Sequence, residues 1–273
     1  MGILNVTPDS FSDGGRFHDC AAAVDRAVEL QAAGADLLDV GGESTRPGSL
    51  GVSPEEQIAR VVPVIRASRE RGVTIPISID TRSAVVAGAA LDAGADLVND
   101  VSGARHDEAM PRLLVERDVP FVIMHMLGTP DTMQNAPEYD DVVAEVGRFF
   151  DERAEALAAS GVKVDERMWV DPGIGFGKTV EHNLELLRQS HMAFGAKWPV
   201  VIGASRKRFI GSLVGQTDAM SPGAAASTSR LFGTAATVAH AALSGVDVVR
   251  VHDVAEMRAV IDVCTAIRSS ATE

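Results

Sequence analysis

Eight short runs of apolar, often β-branched residues punctuate this chain, and amphipathic stretches separate them. The runs are Gly2–Val6, Asp36–Val40, Pro76–Ile79, Asp96–Val98, Pro120–Met124, Arg167–Val170, Pro199–Ile202 and Val246–Val249. Near-continuous apolarity over so few residues is what a strand buried on both faces of a parallel sheet requires. Between the runs, apolar residues recur at three- and four-residue spacing, as at Ala22, Val24, Ala27, Val28 and Leu30, or Val61, Val64 and Ile65. That spacing predicts helices with one face on a core. Ser53-Pro54 reads as a helix start, and Gly34, Gly94 and Gly245 stand where a left-handed C-cap leads into the next strand.

Strict alternation of strand and helix predicts one domain over residues 1–273, a TIM (β/α)8 barrel with an eight-stranded parallel sheet. A doubly wound open sheet shares the alternation; polar residues after every strand favour closure. Unequal lengths between units exclude a solenoid. The first strand starts at Gly2, so a segment covering the barrel floor is expected to be missing from the start of the sequence.

Composition narrows the function classes. The chain has 273 residues, 46% of them hydrophobic, enough for a large single core. A formal charge of -13 argues against general affinity for nucleic acid or anionic membranes. Cys20 and Cys264, the two cysteines, fit neither a disulfide scaffold nor a structural zinc site. The apolar runs fall well short of the roughly 20 residues that span a bilayer, and the N-terminus does not read as a secretion signal. A cytoplasmic protein is expected.

In a barrel, residues just past the strands converge on one face. Here Asp80, Asn99 and Asp171 offer acceptors and an amide suited to the edge of a flat nitrogen heterocycle. Lys207, Arg250 and His252 follow the last two strands, where barrels commonly hold phosphate. Asn5 can offer an oxygen to magnesium. Taken singly, an Asp can cap a helix and an Asn can close a turn. His125 reads equally as a packed histidine filling the barrel mouth; His18, His106, His182, His191 and His240 fall on segments read as helical and structural. No Ser-His or Cys-His pair is obvious. The run Gly173 to Thr179 has Pro172 where a phosphate loop needs Gly, and its spacing does not fit a dinucleotide fingerprint.

The segments MGILNVTPDSFSDGG, DVGGESTRPG, SIDTR, NDVSG, DPGIGFGKT, GASRKRFIG and VVRVHDV occur in this order. Together they resemble the dihydropteroate synthase family, the likeness running from residue 1 to about residue 258. The resemblance implies a transferase of folate biosynthesis that condenses 4-aminobenzoate with a dihydropterin diphosphate, releasing pyrophosphate, with Mg2+ as cofactor. It implies a pterin pocket of Asp80, Asn99, Asp171, Phe176 and Lys207, and a diphosphate site of Asn5, Thr45, Arg250 and His252, with Asn5 on the magnesium. Phe11, Thr45, Pro47 and Arg208 are assigned to the aminobenzoate, and Asp9, Arg46, Lys207, Arg250 and His252 to catalysis. The loops bearing Asp9, Phe11 and Pro47 are similar to the family's mobile lids. Arg208 departs from the pattern, since many relatives carry Ser there.

The resemblance also implies sulfonamide sensitivity and a homodimer; the Ala-rich stretch Pro222 to Leu243 is apolar on more than one side, as a buried interface helix would be. A pterin-binding methyltransferase would keep the carboxylates without needing a diphosphate site, and a non-catalytic paralogue would lose lid or diphosphate residues. Arg250-Val251-His252 and Ser205-Arg206-Lys207 count against the first, and the presence of Thr45, Arg46, Asp171, Lys207 and His252 against the second.

Overall fold

The structure, a computed structural model, describes residues 1–7, 16–43, 51–128, 133, 136–215 and 224–270. All eight expected strands form: β1 (Gly2–Asn5), β2 (Leu38–Gly41), β3 (Ile77–Asp80), β4 (Leu97–Asp100), β5 (Phe121–Met124), β6 (Met168–Asp171), β7 (Val201–Ile202) and β8 (Val248–Val249). Several end later than expected. Asp80, Asn99 and Asp171 therefore belong to strands rather than to the loops after them, because each still pairs, with Gly41, Asp80 and Met124 respectively.

Strands β1 to β6 form one parallel sheet in sequence order, and β7 pairs with β8. Val170 N–H donates to Pro199 O at 2.9 Å, joining the two groups. Ile3 N–H donates to Val251 O and Val251 N–H to Met1 O, both at 2.9 Å, sealing the first strand to the last. An open sheet has no such seam, so the barrel is closed.

Outside it run α1 (Arg16–Ala32), α2 (Pro54–Glu70), α3 (Ala84–Asp92), α4 (Met110–Arg117), α5 (Val142–Ala159), α6 (Val164–Arg167), α7 (Val180–Phe194), α8 (Arg208–Leu213), α9 (Ala224–Ser244) and α10 (Val254–Ser270). Ser53 caps α2 by accepting Glu56 N–H, with Pro54 in the first turn. Gly34, Gly94 and Gly245 have φ of 94, 110 and 88°, the left-handed caps expected. His182 serves in the capping box of α7 with Thr179. His106, expected on a helix, lies in the loop between β4 and α4.

Successive strand residues face opposite ways, and that rule places the chemistry. One set, including Leu38, Val40, Ile77, Ile79, Phe121, Ile123 and Val170, packs in the main core shared with the helices. The other set points inward. Met1, Leu37, Leu97, Val122 and Val201 form a buried floor with Trp169 and Val248 against it. Two residues further along these strands stand Asp39, Asn99, Met124, Asp171, Gly203 and Arg250. The apolar floor thus carries a polar layer directly above it.

Candidate active site

Asp39 is fully buried in the middle of β2. Its Oδ2 accepts from Arg250 Nε at 2.6 Å and from Asn99 Nδ2 at 3.1 Å. The same guanidinium donates through its second arm to Asp80 Oδ2 at 2.9 Å. One cation from β8 thereby ties together two carboxylates from β2 and β3. Burial pushes the Asp80 carboxyl above its usual range, as does the neighbouring Asp39, while Arg250 opposes both. Burial also works against the charge on Arg250, but Asp39 and Asp80 overcome it and hold the guanidinium firmly protonated. Among the described residues Asp39 Oδ1 has no hydrogen-bond partner, and neither has Ser78 Oγ on the paired position of β3.

Asp171 ends β6 and accepts Gly173 N–H on Oδ1 at 2.7 Å. The loop beyond it turns through three glycines of positive φ, Gly173, Gly175 and Gly177. It brings the Phe176 ring to 4.3 Å from the Lys207 ammonium, which also donates to Ile174 O. Lys207 is the residue before α8. Burial pushes it down to about 8, with Asp171 opposing that loss of charge. Asp171, Phe176 and Lys207, read from two motifs, thus share one wall.

His252 stands beyond β8 with Nδ1 3.0 Å from Ser205 Oγ, which also accepts His252 N–H at 3.2 Å. No Ser-His pair was visible along the chain because 47 residues separate the two. Arg206, between Ser205 and Lys207, has φ 59°. That strained residue is held by its N–H on Thr234 Oγ1 at 3.0 Å and by a forked ion pair to Asp253. The turn lets Ser205 meet His252 while Lys207 meets Asp171.

Asn5, at the end of β1, borders the same opening: a Cβ on Gly41 would lie 3.8 Å from Asn5 Oδ1 and 3.7 Å from Asp80 Oδ2. Arg208 is exposed at the start of α8. Asp9, Phe11, Thr45, Arg46 and Pro47 lie outside the described residues. Sequence reading missed Asp39, whose signal was a carboxylate inside an otherwise apolar strand. It also missed Lys178, which is 4% exposed. His125, left open between packing and chemistry, is buried against Lys178.

A closed barrel whose mouth joins three carboxylates, an amide, the Lys207 and Arg250 cations and the His252 imidazole from several strands defines an enzyme for a flat polar heterocycle carrying an anion. The family model described as "Pterin binding enzyme" matches residues 1–252. The dihydropteroate synthase of Synechocystis is 43% identical, over 98% of this chain and 89% of its own. That of Escherichia coli is 42% identical, over 94% and 86%. A Yersinia pestis dihydropteroate synthase solved with a sulfonamide drug complex superposes with TM-score 0.87 at 38% identity, covering 99% of this chain and 93% of that one. A Xanthomonas albilineans dihydropteroate synthase solved with 4-aminobenzoic acid gives 0.87 at 42%, covering 98% and 92%. The chain belongs to the dihydropteroate synthase family of pterin-binding barrels, transferases of folate synthesis.

Proposed function

We propose that this chain joins 4-aminobenzoate to a dihydropterin diphosphate, giving dihydropteroate and pyrophosphate. The observation that carries the reading is the polar layer itself. Carboxylates of Asp80 and Asp171 and the amide of Asn99 face one space with Lys207, Arg250 and His252 around it. The donors of a pterin edge match the carboxylates. Phe176 and Lys207 form the wall against which the ring lies.

Breaking the bond to the diphosphate develops negative charge on the leaving group and positive charge on the pterin methylene. Lys207, Arg250 and His252 stabilise the first, and the buried carboxylates the second. Ser205 holds the imidazole of His252 toward this task. The arylamine is neutral at working pH, so positioning replaces a strong general base. The Asn5 amide oxygen, which borders Gly41 as the Asp80 carboxylate does, is of the type magnesium takes, and Asn5 would hold the ion there, with waters and substrate phosphate oxygens completing its oxygen ligands. When bound there it would neutralise diphosphate charge.

Purified protein given dihydropterin diphosphate, aminobenzoate and magnesium is expected to release pyrophosphate, with a sulfonamide competing against aminobenzoate. Pterin binding without pyrophosphate release would overturn the reading in favour of a pterin-binding methyltransferase or a non-catalytic paralogue.

A homodimer through α8, α9 and α10 belongs to the same proposal. Leu213, Phe232, Leu243, Val263 and Ile267 on these helices, and Val214 just after α8, are all exposed, Phe232 to 68%. Sedimentation equilibrium is expected to give twice the 28.7 kDa chain mass, and Phe232→Glu to shift it toward one chain. Among the described residues no helix is long and apolar enough to cross a membrane, and a cytoplasmic setting is proposed with the pathway.

A further inference from the structure

Two buried ionisable side chains behind the pterin wall take no part in the chemistry above. Lys178 and His125 are 4% and 7% exposed. Lys178 Nζ lies 3.0 Å from His125 Nδ1, donates to Phe176 O at 3.0 Å and reaches His125 O at 3.5 Å. Phe149 packs edge-on against the imidazole at 5.0 Å. Tyr139 stands 6.1 Å from it, with its hydroxyl donating to Gly177 O at 2.8 Å.

Lys178 therefore grips the very loop that carries Asp171 and Phe176. A Cβ on Gly173 would come within 3.4 Å of Lys178 Nζ, and Gly173 N–H is bonded to Asp171. The ammonium therefore lies on the Gly173 side of the loop, near enough to the Asp171 carboxylate for the two charges to act on each other. Lysine is almost never fully buried unless its charge is answered. A packing role would be served as well by methionine, which needs no acceptors.

Building on the reaction assigned above, we propose that Lys178 is a positioning residue for the pterin. With His125 as its acceptor, it fixes the loop between β6 and α7 and supplies an internal counter-charge to Asp171. The charges fit this role. Burial, then Lys178 and then Arg105 push His125 down to about 3, so its imidazole is neutral and can accept. Burial pushes Lys178 down to about 7, opposed by Asp171, while Lys207 adds to the push. Burial raises the Asp171 carboxyl; Lys207, the Gly173 N–H, Arg250 and Lys178 all resist.

The sign follows. A pterin edge that donates hydrogen bonds needs Asp171 ionised. Removing Lys178 moves that ionisation to higher pH, so the acid limb of pterin affinity moves up with it. Removing Lys178 also lets His125 take up a proton at higher pH than it does in the native protein.

The test measures binding of dihydropterin diphosphate by calorimetry between about pH 5 and about pH 9, a window that brackets the Lys178 value of about 7. Lys178→Met is expected to weaken binding about 10- to 100-fold at neutral pH, with partial recovery on the alkaline side. The KM for aminobenzoate at saturating pterin is expected to stay within about twofold, since its contacts lie elsewhere. His125→Asn keeps an acceptor and should retain most of the affinity; His125→Leu should lose it. Proton NMR of the imidazoles reports the shift of His125 independently. An unchanged pH curve in Lys178→Met, or equal losses in His125→Asn and His125→Leu, would overturn the proposal. Failure of the unsubstituted protein to bind the diphosphate would overturn the functional reading with it.

Discussion

Replacing Arg250 by Ala is expected to damage both stability and turnover, and to damage them together. Its guanidinium is the shared cation of Asp39 and Asp80, at 2.6 and 2.9 Å. Asp39 has no access to solvent. Removing one partner of a buried ion pair leaves a charge without compensation and costs about 3 to 5 kcal/mol. In a chain of this size that corresponds to a fall in Tm of roughly 10 °C. Turnover is expected to fall at least about 100-fold, because the cation beside the leaving diphosphate goes too. Calorimetry and pyrophosphate release on Arg250→Ala and on Asp39→Asn/Arg250→Ala separate the two effects. The double variant should regain the share of stability owed to Asp39, though not that owed to Asp80, without regaining activity. An Arg250→Ala protein with native Tm would show that the pair does not hold the mouth together.

The second large effect is expected from the smallest change, Gly173→Ala. Gly173 has φ 71°, and an added Cβ would sit 1.9 Å from His125 O. No rotamer relieves a clash between two backbones, so the loop must shift as a whole. Asp171 loses its Gly173 hydrogen bond, Phe176 moves off Lys207, and pterin affinity is expected to fall about 100-fold. Gly72→Ala is the matched control. Its φ is 92°, yet nothing lies within 4 Å of the added carbon. It should cost only the left-handed strain of about 1 to 2 kcal/mol and leave binding intact. Equal binding by both variants would mean that the close approach at Gly173 does not set the pocket.

Much of this molecule was legible in the sequence, for identifiable reasons. Strands buried on both faces leave long apolar signals, and helix ends leave Gly and Ser-Pro signals, so element order and the C-caps at Gly34, Gly94 and Gly245 could be read directly. Asp80, Asn99, Asp171 and Lys207 could be found because they end or follow strands. Asp39 could not be found that way, since its partner Arg250 is 211 residues away and a loop-by-loop reading looks past a strand interior. Lys178 was hidden by its own motif: a lysine after a glycine run reads as a solvent-exposed or phosphate-facing group until the chain folds it under His125. The sequence reading split the site into an acidic half and a cationic half. Arg250 crosses that division, because alternation along β8 aims it at β2 and β3.

The tie between Asp39 and Arg250 also bears on how the chain is made. Asp39 and Asp80 both precede their shared cation, which follows the eighth strand. If the strands pair in their chain order during synthesis, β2 and β3 set these two acids side by side before Arg250 has emerged. A growing chain therefore meets a repulsion that the last strand relieves, and ring closure and ligand competence are acquired in the same late event.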